Sequence, residues 1–369
     1  MTLIDFRNAL AQSVKERGQR LKQVELLLKT KEVCLFGFGN KGRILANQLR
    51  NIHLDFSVYD SDEKKREVAL KLGYRTLTHL PHSESFCYIL GSGQNQTEQE
   101  EIVQKNFIYY HECTYLYNLP NYLERSRDFS DIVLNRAEEF YDIYQKISSS
   151  YQDTFFRILL FKASLNPHHI KKLRQGLSAM WLDLPLRNFH RNYGYFCDVG
   201  AYDGDTILAF SKAFSLVKAF AVEVNRDFNQ SIIANSKLVK QGTKILPFAA
   251  WSEKRNLDFK EDHNGMFEIF VSEEGQVPAD ALDNLIDSKV DALKMDIEGS
   301  ELQALSGSKR LIIENKPDIL IACYHRTDDF IAIPNYIESL LGNSTYEICV
   351  GHYSECMDDT IFYFMRKKP

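Results

Sequence analysis

The feature that most narrows the fold is an alternation of short apolar runs with amphipathic stretches, which restarts at Tyr195 and continues to the end of the chain. Runs at 195–199, 218–224, 244–249, 291–296, 318–324, 346–350 and 360–366 read as seven strands. Strands alternating with helices imply a parallel sheet covered by helices. The last two runs differ from the rest. Only GHYSECMDD joins them, too short for a crossover helix, so they are expected to pair antiparallel.

The first of these strands runs into the turn Asp198-Val199-Gly200-Ala201-Tyr202-Asp203-Gly204-Asp205-Thr206. A glycine there permits close backbone approach to a ligand, and exposed N–H groups can bind a carboxylate or phosphate. The turn lacks dinucleotide spacing and holds three aspartates, Asp198, Asp203 and Asp205. Acidic groups repel a pyrophosphate but suit the ammonium and sulfonium charges of S-adenosylmethionine. The second strand ends at Glu223, before Val224 and Asn225, where a carboxylate can accept hydrogen bonds from ribose hydroxyls. The third ends at Ala249-Ala250-Trp251, whose small residues would leave room for an adenine.

The fourth strand carries Lys294, Asp296 and Glu298 on alternate positions, so they share a face at its carboxyl end. Open α/β sheets hold ligands at that edge. Glu301 is expected to do no more than favour the first turn of the next helix, whereas Asp296 is expected to face a ligand.

These segments together with ACYH and GHYSE resemble the FkbM family of methyltransferases over about residues 195–369. The resemblance implies a class I fold and S-adenosylmethionine-dependent O-methylation of a sugar hydroxyl in a polysaccharide, nucleotide-sugar or secondary metabolite. It also implies that Gly200, Asp203 and Asp205 line the methionine end of the cofactor, Glu223 the ribose, and Asp296 the reacting methyl. Methylating a hydroxyl requires removal of its proton, and histidine is the side chain suited to this near neutral pH. His325 and His352 end the fifth and sixth strands. The expectation is His325 as base, with His352 and Asp296 orienting the acceptor. A divalent cation on these groups ranks lower because no close-spaced ligand motif is present, and no metal is expected.

The first half has its own alternation. Strands are expected at Glu32–Phe36, Phe56–Tyr59 and Phe86–Leu90, the third ending at Gly91-Ser92-Gly93. Gly37-Phe38-Gly39-Asn40-Lys41-Gly42 fits GxGxxG, and Asp60 ends the next strand. In that context Gly37, Gly39, Asn40, Gly42 and Asp60 form a candidate nucleotide or nucleotide-sugar site. The alternative is a scaffold for a homodimer or for docking a carrier. The expected fold class is α/β: two Rossmann-like domains, the C-terminal one a class I methyltransferase seven-stranded sheet with an antiparallel terminal hairpin. The expected layout is an amphipathic helix at 1–30 (or two joined near Gly18), a small Rossmann-like domain at 31–120, connecting helices at 121–190 and the catalytic domain at 191–369. Competing readings are an NAD-dependent sugar-modifying enzyme using the first half, and a binding protein without catalysis.

A net charge of −5 argues against a nucleic-acid binder, and the Lys171, Lys172 and Arg174 cluster reads as a solvated face. The seven cysteines include no CxxC pair and mostly lie in apolar runs, as reduced buried thiols do. The N-terminus lacks a signal-peptide pattern and no stretch reaches membrane-span length, so a cytoplasmic location is expected.

Overall fold

The structure, a computed structural model, describes residues 1–92, 95–119, 132–173, 180–184, 189–261, 267–271, 275–342 and 344–367. Gly93, Asp131, Arg174 and Pro185 lie outside them. The chain divides into two compact units. The first comprises Met1–Asp142, Asp153–Arg174 and His352–Asp358; the second comprises Ile143–Gln152, Gln175–Gly351 and Asp359–Pro369.

The first unit opens with one uninterrupted helix, α1 (Leu3–Thr30). Thr2 and Asp5 form a capping box at its start. Gly18 does not break it, since helical propensity and packing outweigh the roughly 1 kcal/mol cost of a single glycine. Phe6, Leu10 and Val24 are its buried apolar residues, with Ser13 and Arg17 buried beside them. Next come β1 (Glu32–Phe36), α2 (Asn40–Asn51), β2 (Ser57–Tyr59), α3 (Glu63–Lys71), β3 (Phe86–Leu90), α4 (Gln96–Val103), β4 (Phe107–Tyr109) and α5 (Tyr110–Tyr117). The strands form a parallel sheet in the order β2-β1-β3-β4. Cys34, Phe36, Tyr88, Leu90, Val103 and Tyr109 make its core. Arg20 of α1 grips the buried Glu112 of α5 through two nitrogens, at 2.7 Å and 3.1 Å. Helices α6 (Ala137–Lys146) and α7 (Gln152–Ser164) follow, and their Phe140, Phe155 and Ile158 are fully buried.

The second unit carries the restarted alternation: β5 (Tyr195–Val199), α8 (Asp205–Ala213), β6 (Lys218–Val222), α9 (Asn229–Asn235) and β7 (Thr243–Leu246). After an excursion through β8 (Ala249–Ala250), β9 (Arg255–Glu261), β10 (Phe267–Val271) and β11 (Val277–Asp280), the alternation resumes. It continues with β12 (Ala292–Met295), α10 (Glu301–Ser306), α11 (Lys309–Asn315), β13 (Asp318–Ala322), α12 (Asp329–Leu341), β14 (Tyr346–His352) and β15 (Thr360–Arg366). The main sheet has the order β14-β15-β13-β12-β5-β6-β7, with β15 antiparallel to β13 and the pairs from β13 to β7 parallel. This is the seven-stranded sheet with a terminal hairpin that the short last connection demanded.

The expected strand at 244–249 is in fact two. Only β7 joins the main sheet, while Ala249 and Ala250 pair with β11 in a separate four-stranded sheet, order β10-β9-β11-β8. All seven cysteines are buried and free. No helix among the described residues is long and apolar enough to cross a membrane.

Candidate functional site

The carboxyl ends of β5, β6 and β12 surround a cavity of about 880 Å³ in the second unit. The turn after β5 is fixed from below. Gly200 has φ +77°, and a Cβ there would stand 2.0 Å from the carbonyl oxygen of Asp296. The DVGAYDGDT turn and the KMDIEGSE segment are therefore packed backbone to backbone, and only glycine fits between them. Lys294 clamps the same point, donating to the Gly200 carbonyl at 2.6 Å and pairing with Asp198 at 2.9 Å. Both side chains are buried. Burial works against the Lys294 ammonium, but the Asp198 and Asp296 carboxylates outweigh it and hold its pKa above the ordinary lysine value.

Glu223 stands at the end of β6. Its two carboxylate oxygens accept the backbone N–H groups of Tyr202 (2.9 Å) and Asn225 (2.8 Å), which fixes the side chain while leaving lone pairs for a ligand. Gly200, Asp205, Thr206, Glu223, Val224, Asn225, Ala249, Ala250 and Asp296 all line the cavity. The other expected residues shape the turn: Asp198 lies beneath Lys294, Ala201 is buried, and Asp203 accepts the Asp205 N–H at 3.0 Å. Trp181, which the sequence reading did not single out, also lines the cavity, with its ring 5.2 Å from the Lys294 ammonium.

Beside the cavity lies a second group of side chains. His325, three residues past the end of β13, is fully buried. Its Nδ1 is 2.8 Å from Glu301 Oε1; its Nε2 is 3.4 Å from Glu298 Oε2 and 3.6 Å from Asp296 Oδ1. The Tyr324 hydroxyl donates to Asp296 at 3.1 Å, and the Ile297 N–H donates to Glu301 at 3.0 Å. Glu298 and Gly299 both take positive φ, +57° and +93°, so the chain turns sharply to present these carboxylates. Burial lowers the His325 pKa, yet Glu301, Asp296 and Glu298 more than reverse this and push it up to about 10. In these surroundings the imidazole is cationic at neutral pH and cannot take a further proton. That departs from the expected neutral base, because strand-end position reveals neither the burial nor the number of facing carboxylates.

The structure thus brings His325 and Asp296 together. His352 belongs by its contacts to the first unit, where its ring lies 5.8 Å from that of Phe161. Burial, with Lys162 nearby, pushes its pKa down to about 3. Glu301, expected to be only a first-turn acid, is fully buried and holds the imidazole. Sequence signals for it were weak, since a first-turn acid is ordinary at a helix start.

The GxGxxG turn of the first unit is built as expected but already engaged. Gly37 has φ +106°, and a Cβ on Gly42 would stand 2.1 Å from the Gly37 carbonyl oxygen. Gly39 begins α2 without a side-chain cap, and Asn40 accepts from Arg43 at 2.6 Å. Asp60 accepts the N–H groups of Phe38 (2.7 Å) and Asp62 (2.9 Å), closing the turn on itself. Lys41 pairs with Asp358, and Glu355 accepts the Thr97 N–H at 2.9 Å at the start of α4.

Residues 198–348 match the family model described as methyltransferase FkbM domain. Among solved structures, the chain is similar to methyltransferase FkbM from Methylobacillus flagellatus KT. The TM-score is 0.72 and the identity 17%, covering 98% of this chain and 100% of that one. It is also similar, at a TM-score of 0.32, to precorrin-6y C5,15-methyltransferase from Geobacter metallireducens GS-15, with 15% identity over 54% of this chain and 92% of that one. No curated protein matches the sequence.

Proposed function

We propose, starting from the FkbM methyltransferase domain at residues 198–348, that the chain is an S-adenosylmethionine-dependent O-methyltransferase acting on a sugar hydroxyl. The observation that carries the reading is the Gly200 turn seated on Asp296 beside the fixed Glu223 carboxylate, in a cavity large enough for a nucleoside-sized ligand. When bound, the cofactor supplies a methyl group on a cationic sulfonium. Glu223 would hold the ribose hydroxyls through its remaining lone pairs. Asp205 and Asp296 would favour the cofactor's positive charges. The Asp296, Glu298 and His325 group would dock the acceptor hydroxyl and manage its proton as the oxygen gains the methyl, with Glu301 holding the imidazole in place. Several carboxylates beside a tyrosine hydroxyl suit an acceptor rich in hydroxyls, as saccharides are. The small first-unit domain would take part in acceptor recognition rather than hydride chemistry, since Asp60 and Lys41 are committed within the chain.

Calorimetric titration with S-adenosylhomocysteine and with NADH tests this reading. We expect one S-adenosylhomocysteine per chain, and Glu223→Ala should weaken it by roughly 1.5–3 kcal/mol, the scale of hydrogen bonds to a charged group. Binding of NADH with no binding of S-adenosylhomocysteine would reject it.

A further inference from the structure

We propose that the group at the carboxyl ends of β12 and β13 is a divalent-cation site, with His325, Asp296 and Glu298 as ligands and Glu301 as the residue that orients the imidazole. This deepens the acceptor-docking role proposed above and rests on it. The geometry is that of a ligand set. Metal–ligand bonds near 2.1 Å place neighbouring donors about 3.0 Å apart in an octahedron and about 3.4 Å apart in a tetrahedron. Here His325 Nε2 stands 3.4 Å from Glu298 Oε2 and 3.6 Å from Asp296 Oδ1. Both carboxylates thus stand near ligand spacing from the same imidazole nitrogen, and a cation on Nε2 would draw Asp296 and Glu298 in around it.

The far side of the ring supports the same reading. Histidines that bind metal through one nitrogen commonly hydrogen-bond a carboxylate through the other. Glu301 Oε1 is 2.8 Å from Nδ1 and holds the proton there, so a bound cation would take the place of the proton on Nε2. Asp296, Glu301 and His325 each offer a ligand atom within 4.8 Å of the others. A further observation is independent of those contacts. Glu301 is fully buried, and its second oxygen, Oε2, has no hydrogen-bond partner among the described residues. Such an oxygen needs positive charge close by; the charged imidazole supplies it, and a cation on Nε2 would keep supplying it once the proton there is displaced.

The site also has an open side. Asp296 and Glu298 line the cavity, so a cation held by them would keep positions facing it. A hydroxyl oxygen bound there would become more acidic. One imidazole with carboxylate oxygens suits Mn²⁺ or Zn²⁺ better than Ca²⁺, which takes oxygen ligands in larger numbers. The sequence concealed the set because two ligands lie on the 296–298 turn and the third follows the next strand, with no short motif to mark them.

The test is calorimetric titration of the chelator-treated full chain with Mn²⁺, with Zn²⁺ and Mg²⁺ as comparators, alongside S-adenosylhomocysteine. We expect one cation per chain. Glu298→Gln is safe for folding because that side chain is 42% exposed. It should weaken Mn²⁺ at least roughly tenfold, and Glu301→Gln should cost roughly 10–100-fold in cation affinity. Equal Mn²⁺ affinity in wild type, Glu298→Gln and Glu301→Gln would mean adventitious binding and overturn the site. A wild-type chain that binds S-adenosylhomocysteine but no cation overturns the site alone; one that binds neither overturns the methyl-transfer reading as well.

Discussion

Lys294 shows how one buried charge can hold a binding turn in place. Its ammonium joins Asp198, the Gly200 carbonyl and the face of Trp181. Removing one partner of a buried ion pair leaves the other charge uncompensated, which typically costs about 3–5 kcal/mol. Lys294→Met should therefore destabilise the protein on that scale in urea unfolding. The double variant Lys294→Met/Asp198→Asn should recover most of the loss, because the orphaned carboxylate is gone. A double variant as unstable as the single one would mean that Lys294 acts through packing alone. Lys294 and Asp296 were legible in the sequence as polar residues breaking an apolar strand, a pattern that marks a ligand edge. Glu301 was not, because burial decides its role and no local pattern encodes burial.

At the scale of elements, the turn between β5 and α8 is the feature most open to test. Gly200→Ala would bring a methyl group to 2.0 Å from a backbone oxygen at φ +77°, so the turn or the 296–299 segment must move. We expect a loss of about 1–3 kcal/mol in stability, the range of overpacking, and of more than about tenfold in S-adenosylhomocysteine affinity, with unchanged far-UV circular dichroism. Wild-type affinity would show that the turn is not part of the ligand seat. The main-sheet strands were readable because buried parallel strands are continuous apolar runs. The small sheet of β8 to β11 was not. Arg255–Glu261 is not a continuous apolar run: it alternates Leu257 and Phe259 with polar residues, a strand signal of a different kind, and β8 has only two residues, below what periodicity can register. The antiparallel end of the main sheet was legible for a different reason, since loop length alone forbade a crossover.

For the whole molecule, pH is the most direct probe of how the first unit is built. His111 and His352 are both buried there, and burial pushes their pKa values down to about 4 and about 3. An unfolded histidine titrates near 6.5. Below that pH the unfolded chain takes up protons that the folded chain refuses, so this part of the stability is complete above pH ~6.5 and is lost as pH falls toward the folded values. Each histidine should contribute a slope of up to about 1.4 kcal/mol per pH unit in that window. Urea midpoints at about pH 7 and about pH 5 should differ accordingly, and His111→Asn should flatten the difference. A midpoint indifferent to pH in this range would contradict the burial of both rings.

The segment His352–Asp358 belongs to the first unit although it lies between two strands of the other unit's sheet. Lys41 reaches its Asp358; Gln96 and Thr97 hold its Glu355. Each unit is thus assembled from three separate stretches of chain, and no single cut yields either one intact. This bears on inheritance. A recombination event that exchanged only the first 142 residues with those of a relative would import a receptor without its matching insert. Residues around Lys41, Gln96 and Thr97 should therefore vary in step with Glu355 and Asp358 from one lineage to the next, across more than two hundred and fifty positions of sequence, as one heritable module written in pieces.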